Sequence, residues 1–326
     1  MKSAVIFDTA LGTGNLGDEI ILDAVCRNME SILDSCFTLR LATHVANFSA
    51  LQILKPNGKI KYFQNADYKF ICGTNLIDQK DLCRLHSQWA LYPTNYSLYR
   101  NSILVGAGTR YDMEKLTPQA KWLFKRILSH EYAHSVRDEL AKRVIESLGF
   151  EAINTGCPTL WEFTPEKCGE IPQKKADNCI FSISGFDSQQ DREKDLFLIR
   201  TIIQNYKRKW AWIQTIKDDA YLNSLCGPDD FERIYSLNAF KEIARKGNVD
   251  YIGTRLHGGI FAMQNNCRTI IIGIDHRADG FNKTNHIPVV RRKDLETKLE
   301  HAINTSFETR IVIDEERIRQ FREQFR

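Results

Sequence analysis

The residues best suited to chemistry lie in one short segment, positions 253–262 of the 326-residue chain. The segment reads Gly-Thr-Arg-Leu-His-Gly-Gly-Ile-Phe-Ala and follows an apolar stretch typical of a buried strand. If the extended backbone continues, Arg255 and His257 lie two residues apart on the same side. Gly258 and Gly259 then open a helix, whose free N–H groups favour an anion. The pattern predicts an anion site with an arginine to hold charge and a histidine to donate a proton.

Simpler interpretations stay open for the same residues. His257 also fits a histidine satisfied by backbone groups, and Arg255 fits an arginine paired with a nearby carboxylate. Farther along, Asp275 and Arg277 follow the apolar stretch 269–274. Arg277 is therefore placed either to reach the same anion or to form a surface ion pair.

A glycine-rich loop near the N-terminus resembles a dinucleotide-binding turn. Residues 12–17 read Gly-Thr-Gly-Asn-Leu-Gly, between an apolar strand at 4–7 and a periodic helix at 18–33. A nicotinamide site also needs an acidic residue about 20 positions on, and the strand predicted at 37–43 has none. Asp18 and Glu19 at the helix start would repel a pyrophosphate. The loop therefore disfavours a nicotinamide dinucleotide, and a tight structural turn remains an alternative.

The elements around these loops alternate between strand and helix, which indicates an α/β protein with mostly parallel, doubly wound sheets. In the first half we predict strands near 37–42, 60–63, 69–72, 102–106 and 133–136, with helices at 119–128 and 139–148. The second half repeats the alternation after a polar stretch at 162–178. We predict an N-terminal Rossmann-like domain over 1–165, a C-terminal one over 175–313, and a helix over 314–326 that packs back across the first domain. Two such domains would face a cleft.

Composition and charge narrow the protein class. With 45 Lys and Arg against 41 Asp and Glu, the net charge of +4 does not indicate a nucleic-acid partner. No stretch is apolar enough to cross a membrane, and the first apolar run is too short for a signal peptide. The nine cysteines include no C-x-x-C pair, so we expect neither a disulfide framework nor a metal site. These features predict a cytoplasmic protein.

Three motifs in this order resemble those of the polysaccharide pyruvyl transferase family. They are Gly-Asn-Leu-Gly-Asp-Glu at 14–19, Ser-Val-Arg-Asp-Glu-Leu at 135–140, and the Arg-Leu-His segment at 253–262. The resemblance runs from about residue 14 to about residue 281, and the Arg-Leu-His segment is its most specific part. It implies a fold like that of the GT-B glycosyltransferases. It also implies transfer of the enolpyruvyl unit of phosphoenolpyruvate onto two sugar hydroxyls as a cyclic ketal, with release of phosphate.

By the same resemblance, Arg255, His257 and Arg137 contact the donor. The family acts on bacterial surface polysaccharides, such as a capsule or exopolysaccharide, or on their lipid-linked precursors. Gly258, Gly259 and Arg277 complete the predicted donor side, while Gly14, Asn15, Gly17 and Asp18 form the predicted acceptor-side loop. Asp18 fits either a base near the acceptor or a carboxylate that caps the helix. The loop Gly-Ala-Gly-Thr-Arg at 106–110 fits either the acceptor side or close packing.

The residue types suit this chemistry independently of the resemblance. Phosphoenolpyruvate carries a phosphate and a carboxylate, which two arginines from different domains, Arg137 and Arg255, can hold in forked hydrogen bonds. Carbon 3 must gain a proton before carbon 2 is attacked, and His257 is our predicted donor of that proton. No cofactor and no metal is required, because arginines neutralise the phosphate.

Two other functions remain open from sequence alone. One is a GT-B glycosyltransferase that uses a nucleotide sugar, and the other is a non-catalytic family member in polysaccharide assembly. The expected partners are phosphoenolpyruvate and a saccharide acceptor, lipid-linked or free. Basic runs at 207–209 and 291–293 fit either anionic lipid headgroups or solvated helix ends, so peripheral membrane contact also stays open.

Overall fold

The computed structural model describes residues 1–78, 89–109, 115–227 and 229–325. It divides into two compact units. The first comprises Met1–Thr13, Ile21–Trp161 and Asp314–Arg326, and the second comprises Gly14–Ile20 and Glu162–Ile313. The second unit thus includes seven residues from near the N-terminus, 14–20. The prediction had placed these residues in the N-terminal domain, 1–165. The domain boundaries themselves stay a prediction.

The first unit alternates strands and helices along the chain, and helix α1 begins in residues grouped with the second unit. Its elements are β1 (Lys2–Asp8), α1 (Leu16–Asn28), α2 (Glu30–Leu33), β2 (Cys36–Ala42), α3 (Ala50–Leu54), α4 (Gly58–Gln64), β3 (Tyr68–Cys72), β4 (Ile103–Val105), α5 (Pro118–Ile127), β5 (His134–Val136), α6 (Glu139–Glu146) and β6 (Ala152–Asn154). Residues 60–63, predicted as a strand, lie in α4, so that prediction was wrong.

The strands of the first unit are parallel. Four of them form a sheet in the order β2-β1-β3-β4, and β5 pairs with β6. A single bridge between Ala107 and Val136 sets β5 beside the end of β4. The resulting order, 2-1-3-4-5-6, reverses direction between β1 and β3, as in flavodoxin-like folds. One apolar core joins this sheet to α5 and α6.

The C-terminal helix packs on the first unit, as predicted. This helix, α14 (Glu315–Glu323), is followed by Phe325, whose ring meets the edges of Tyr68 and Phe70 at centroid distances of 5.7 and 5.2 Å. The Gln324 side-chain amide exchanges two hydrogen bonds with the backbone of Ala133. Burial of these aromatic rings favours this docked position.

The second unit is a regular alternation of helix and strand. Its elements are α7 (Pro165–Gly169), β7 (Asn178–Ser182), α8 (Arg192–Asn205), β8 (Lys209–Trp212), α9 (Ile216–Leu225), β9 (Glu232–Ile234), α10 (Leu237–Arg245), β10 (Val249–Gly253), α11 (Leu256–Gln264), β11 (Arg268–Gly273), α12 (His276–Asn285), β12 (Val289–Arg291) and α13 (Leu295–Asn304).

Six parallel strands of this unit form one sheet in the order β12-β11-β10-β7-β8-β9. Counted from β7, this is the Rossmann order 3-2-1-4-5-6. Alternate residues of β7 face opposite cores: Phe181 belongs to the core with α8 and α13, and Ile180 to the core with α10 and α11. Helices therefore cover both faces of the sheet, which explains the continuously apolar strands.

In the described parts of the chain, no helix is both long and apolar enough to span a bilayer.

Candidate functional site

The Arg-Leu-His segment lies where the strand order of the second unit reverses. β7 and β10 are neighbours in the sheet and run in parallel, so their carboxyl ends meet at one edge. The helices that follow them leave the sheet in opposite directions at this point, which opens a crevice for ligands in Rossmann-like folds. Residues 183–190 follow β7, and residues 254–257 follow β10.

Arg255 forms the junction between β10 and α11. The strand ends at Gly253, and Arg255 keeps an extended backbone (φ −88°, ψ 103°) as the residue before the helix. His257 is already the second residue of α11 and is half-buried. The expected extension therefore stops before His257, and the predicted alignment of the two side chains along a strand was wrong.

A closed ring of hydrogen bonds holds the backbone of Arg255. Its N–H donates to Ser182 Oγ at 3.3 Å, and its carbonyl accepts from the Tyr251 hydroxyl at 3.1 Å. Since the Tyr251 proton is used there, the 2.6 Å bond between Ser182 Oγ and Tyr251 Oη is donated by Ser182. Burial raises the pKa of Tyr251, so the phenol stays protonated in this role.

The Arg255 side chain is buried and paired with Asp218. Nε donates to Asp218 Oδ2 at 2.9 Å, Nη2 donates to Asp218 Oδ1, and Nη2 also reaches Thr215 Oγ1 at 3.1 Å. The Phe186 ring stacks on the guanidinium, with Cζ 4.5 Å from the ring centroid. Nη1 has no hydrogen-bond partner among the described residues and is not sealed from solvent. Arg255 is therefore paired with a carboxylate, which was one of the interpretations that the sequence left open. The pairing leaves the Nη1 edge of the guanidinium for a ligand.

The Asp218 carboxylate accepts hydrogen bonds from three further donors around the start of α9. It is the third residue of this helix and accepts from the Thr215 N–H and hydroxyl at 3.0 and 2.8 Å. The Gly185 N–H donates to Asp218 Oδ1 at 2.9 Å. A Cβ at Gly185 would lie 2.0 Å from the carbonyl oxygen of Lys217, so only glycine fits this contact. The loop after β7, the start of α9 and the end of β10 thus meet at one carboxylate.

Arg277 lies at the edge of the same loop system. Its Nε and Nη2 donate to Asp275 Oδ2 at 3.1 and 2.6 Å, and Asp275 also accepts from Gln189 Nε2 at 3.1 Å. Burial acts to raise the pKa of Asp275, but the Arg277 charge and the helix amides bring it below its usual value. Gln189 in turn accepts from Ser184 Oγ at 2.6 Å. The ion pair is present, and contact of Arg277 with the donor stays a prediction.

Gly258 and Gly259 face the sheet. A Cβ on Gly258 would lie 2.7 Å from Tyr251 Oη, and one on Gly259 would lie 2.5 Å from Ile271 Cγ1. Both glycines therefore let α11 approach β10 and β11 closely. Their predicted role on the donor side stays a prediction.

Arg137 belongs to the first unit, at the carboxyl end of β5. Its side chain is mostly buried and lies over Gly108, where a Cβ would be 2.1 Å from Arg137 Nε. The same nitrogen is 3.4 Å from Asp138 Oδ2, and Nη2 is 3.5 Å from the Thr109 carbonyl. Gly108 thus makes room for the guanidinium, which favours the packing interpretation of this loop. Arg110 lies outside the described residues.

The predicted acceptor-side loop packs within the second unit. Leu16 N–H donates to the Gln214 carbonyl at 3.0 Å, and Gln214 Nε2 donates to Asn15 Oδ1 at 2.8 Å. A Cβ on Gly17 would lie 2.6 Å from Gln214 Nε2, whereas one on Gly14 would meet open space. Asp18 is buried on the first turn of α1. Asn15 and Gly17 thus have a structural role beside β8, and an acceptor contact for this loop stays a prediction.

Sequence reasoning missed Asp218, Thr215, Ser182 and Tyr251. Thr215 and Asp218 have the spacing [Ser/Thr]-x-x-[Asp/Glu], one residue beyond the apolar stretch 210–213. This spacing is a signature of a helix start and was available in the sequence. Nothing local indicates that this carboxylate would meet an arginine 37 positions away. Among the described residues, no group of three or more His, Cys, Asp or Glu side chains is placed to hold a metal ion.

The two sheet orders and the site at the carboxyl ends of the strands define a protein with two Rossmann-like units, of the GT-B type. Solved structures with this fold include S. aureus MnaA with UDP, with a TM-score of 0.53 and 12% identity over 98% of this chain and 94% of that chain. Methanocaldococcus jannaschii UDP-GlcNAc 2-epimerase, in complex with UDP-GlcNAc and UDP, has a TM-score of 0.54 and 12% identity over 98% of both chains. A putative UDP-N-acetylglucosamine 2-epimerase from Listeria monocytogenes has a TM-score of 0.53 and 10% identity over 98% of this chain and 94% of that chain. At these identities the likeness shows the fold alone.

The sequence profile described as polysaccharide pyruvyl transferase matches residues 15–276, which is well over half of the chain. The chain belongs to this family, as the three motifs predicted. Membership makes it a transferase of polysaccharide biosynthesis. A search of curated proteins finds no significant match.

Proposed function

We propose that this protein transfers the enolpyruvyl unit of phosphoenolpyruvate to a sugar of a bacterial surface polysaccharide or its lipid-linked precursor, forms a cyclic ketal and releases phosphate. The observation that carries the proposal is the Arg255 guanidinium at the carboxyl end of β10. Asp218 holds two of its nitrogens, and Nη1 keeps its N–H groups for an anion. The start of α11 adds the partial positive charge of a helix N-terminus beside it.

In the proposed reaction His257 donates a proton to carbon 3, and a cation develops at carbon 2. The first sugar hydroxyl attacks carbon 2, the bond from carbon 2 to the phosphate oxygen breaks, and the second hydroxyl attacks to close the ketal. The two hydroxyls release two protons, of which one replaces the proton lost by His257 and the other leaves with the phosphate. Arg255 neutralises the departing phosphate. Arg137 is the predicted donor contact of the first unit.

Thermal unfolding with separate ligands tests the donor. Phosphoenolpyruvate at about 100 times its dissociation constant should stabilise the protein by about 2.7 kcal/mol. UDP-GlcNAc and NADP serve as the competing ligands. Arg255→Ala should abolish the shift, while Arg208→Ala, which removes an exposed arginine of the same unit, should leave it intact. A shift with UDP-GlcNAc and none with phosphoenolpyruvate would contradict the proposal.

His257→Ala separates chemistry from binding. This variant should keep the stabilisation by phosphoenolpyruvate and lose about 10²–10⁴-fold in acceptor-dependent phosphate release, because the proton donor is gone. Phosphate release is measured with a panel of saccharide acceptors that are active with the wild-type protein. Full activity of His257→Ala would rule out this histidine as the proton donor.

A further inference from the structure

Two short helices after β2 expose large apolar side chains. Leu51 and Leu54 of α3 are 76% and 70% exposed, and Tyr62 of α4 is 69% exposed. Leu51 and Leu54 are three residues apart and share one side of α3. Ile53 and Ile60 are the buried anchors of the two helices. Aliphatic side chains this exposed are unusual when they cluster, and such clusters mark interaction surfaces.

Three lysines accompany these side chains. Lys55, Lys59 and Lys61 are all exposed, and none forms an ion pair with a described residue. Residues 35–66 contain no Asp or Glu at all, so no acidic residue of this stretch offsets their charge. We call Leu51, Leu54, Lys55, Lys59, Lys61 and Tyr62 the α3–α4 surface. It combines apolar and cationic side chains without a carboxylate.

The basic runs that the sequence singled out for lipid contact differ from this surface. Two of the three cations in each run pair with a carboxylate. The distances are 3.3 Å for Lys207 with Asp177, 2.8 Å for Arg208 with Glu232, 2.8 Å for Arg291 with Asp279 and 2.9 Å for Arg292 with Asp195. Most of the positive charge of these runs is offset locally, so they attract an anionic surface less than three unpaired lysines do.

Local contacts hold the backbone of the α3–α4 surface. Ser49 and Gln52 form a reciprocal capping box at the start of α3, and the Asn57 side chain accepts from the Ile60 N–H at the start of α4. The rings of Phe48 and Phe63 pack beneath at a centroid distance of 5.7 Å. The three-residue connection keeps the end of α3 within about 14 Å of α4. The backbone of this surface therefore has little conformational entropy left to lose on docking.

We propose that the α3–α4 surface docks the protein on an anionic lipid bilayer. The leucines and the tyrosine enter the boundary between headgroups and acyl chains, and the lysines face the lipid phosphates. A bilayer fits better than a protein partner, because lysine is depleted from protein interfaces while it is favoured at anionic membranes. The proposal concerns the first unit alone and does not depend on the donor of the reaction.

Vesicle sedimentation of the full chain tests this surface. The protein should bind vesicles that contain phosphatidylglycerol and should not bind vesicles of phosphatidylcholine alone. Replacing the lysines, as Lys55→Gln, Lys59→Gln and Lys61→Gln together, should weaken binding roughly 100-fold, at about fivefold for each charge. Leu51→Ser with Leu54→Ser should weaken the binding that persists in high salt, because this part rests on apolar contact.

Matched variants elsewhere on the chain serve as controls. Lys207→Gln, Arg208→Gln and Lys209→Gln together remove the same formal charge, and Ile203→Ser with Val312→Ser removes two other exposed aliphatic side chains. Both sets should bind anionic vesicles nearly as the wild type does. The proposal is overturned if the wild-type protein does not bind anionic vesicles in low salt, or if the control variants lose as much vesicle binding as the α3–α4 variants do. If the wild-type protein is a dimer, and Leu51→Ser with Leu54→Ser dissociates it without changing vesicle binding, the α3–α4 surface would instead bind a second copy of the chain.

Circular dichroism and thermal unfolding verify that each variant is folded. The stabilisation by phosphoenolpyruvate should be the same in the α3–α4 variants as in the wild type. Failure of vesicle binding and failure of donor binding are thus separate results.

Discussion

A buried guanidinium is costly unless a carboxylate compensates it, and Asp218 does so for Arg255. The pair also sets the direction of the guanidinium, since both nitrogens of one edge are taken up and the planar group cannot turn. Ser182 and Tyr251 fix the backbone of the same residue. In the proposed reaction Asp218 is therefore a positioning residue that acts on the donor through Arg255.

Asp218→Asn tests this role at the residue scale. The variant should lose about 3–5 kcal/mol of unfolding free energy, because a buried charge is left without its partner. It should also weaken the affinity for phosphoenolpyruvate by about tenfold or more, with a smaller effect on the KM of the acceptor. Chemical denaturation measures the first effect, and ligand titration of the folded variant measures the second.

Asp195→Asn is the matched control, because Asp195 is also buried and bonded to an arginine, Arg292, in the same unit. It should lose comparable stability and keep the donor affinity. Equal loss of donor affinity in both variants would mean that Asp218 acts only through general stability.

At the scale of elements, close approach decides where the site can form. The loop after β7 passes so near the start of α9 that only a residue without Cβ fits at position 185. This contact brings the Gly185 N–H to Asp218 and aligns β7, α9 and β10 around one carboxylate. The glycines of α11 likewise bring that helix against the sheet.

Gly185→Ala tests the importance of this approach. The added methyl group would overlap the backbone of Lys217, so we expect a loss of about 1–3 kcal/mol in unfolding free energy together with weaker donor binding. Gly280→Ala is the control, because position 280 lies inside α12 with nothing within 4 Å of a new Cβ. That variant should gain about 0.5–1 kcal/mol. Thermal or denaturant unfolding compares the two, and a neutral Gly185→Ala would refute the steric argument.

Some elements were predictable from local patterns and others were not. The strands at 69–72 and 269–274 and the helix at 139–148 agree with the structure, apart from their end residues, because their apolar periodicity is clear. Residues 60–63 were instead predicted as a strand, and α4 forms there because the Asn57 side chain caps the helix and Ile60 is its one buried residue. The helix predicted over 18–33 is interrupted at Met29 and forms α1 and α2.

At the scale of the whole molecule, the buried side chain of His134, beside β4 of the first unit, makes the stability of the fold depend on pH in the acid range. His134 Nδ1 accepts from the Leu104 N–H at 3.2 Å, and Nε2 lies 3.1 Å from the Ser129 carbonyl. The ring is therefore neutral, with its proton on Nε2. Burial, assisted by the nearby His130, lowers its pKa to about 4.

Stability should consequently fall as the pH falls from about 6.5 to about 4. In this window the unfolded state binds a proton and the folded state does not, so unfolding gains up to about 3 kcal/mol. Denaturant unfolding at pH 7 and pH 4.5 measures the change, and His134→Gln should show a flatter dependence. The same slope in both proteins would exclude this histidine as the cause.

The sequence by itself determined the α/β class, the family and the segment that carries Arg255 and His257. These follow from apolar periodicity, from glycines at the starts of helices and from three ordered motifs, all of which are local in the chain.

The tertiary structure alone decided that Arg255 meets Asp218 and that Asn15 and Gly17 pack beside Gln214. It also decided that two of the three cations in each of the runs 207–209 and 291–293 pair with carboxylates. Each of these depends on side chains from elements far apart in the sequence, and only the folded sheet order brings them together. The local sequence pattern predicts which face of a helix or strand is buried, whereas the packing of the whole domain determines which side chains come into contact.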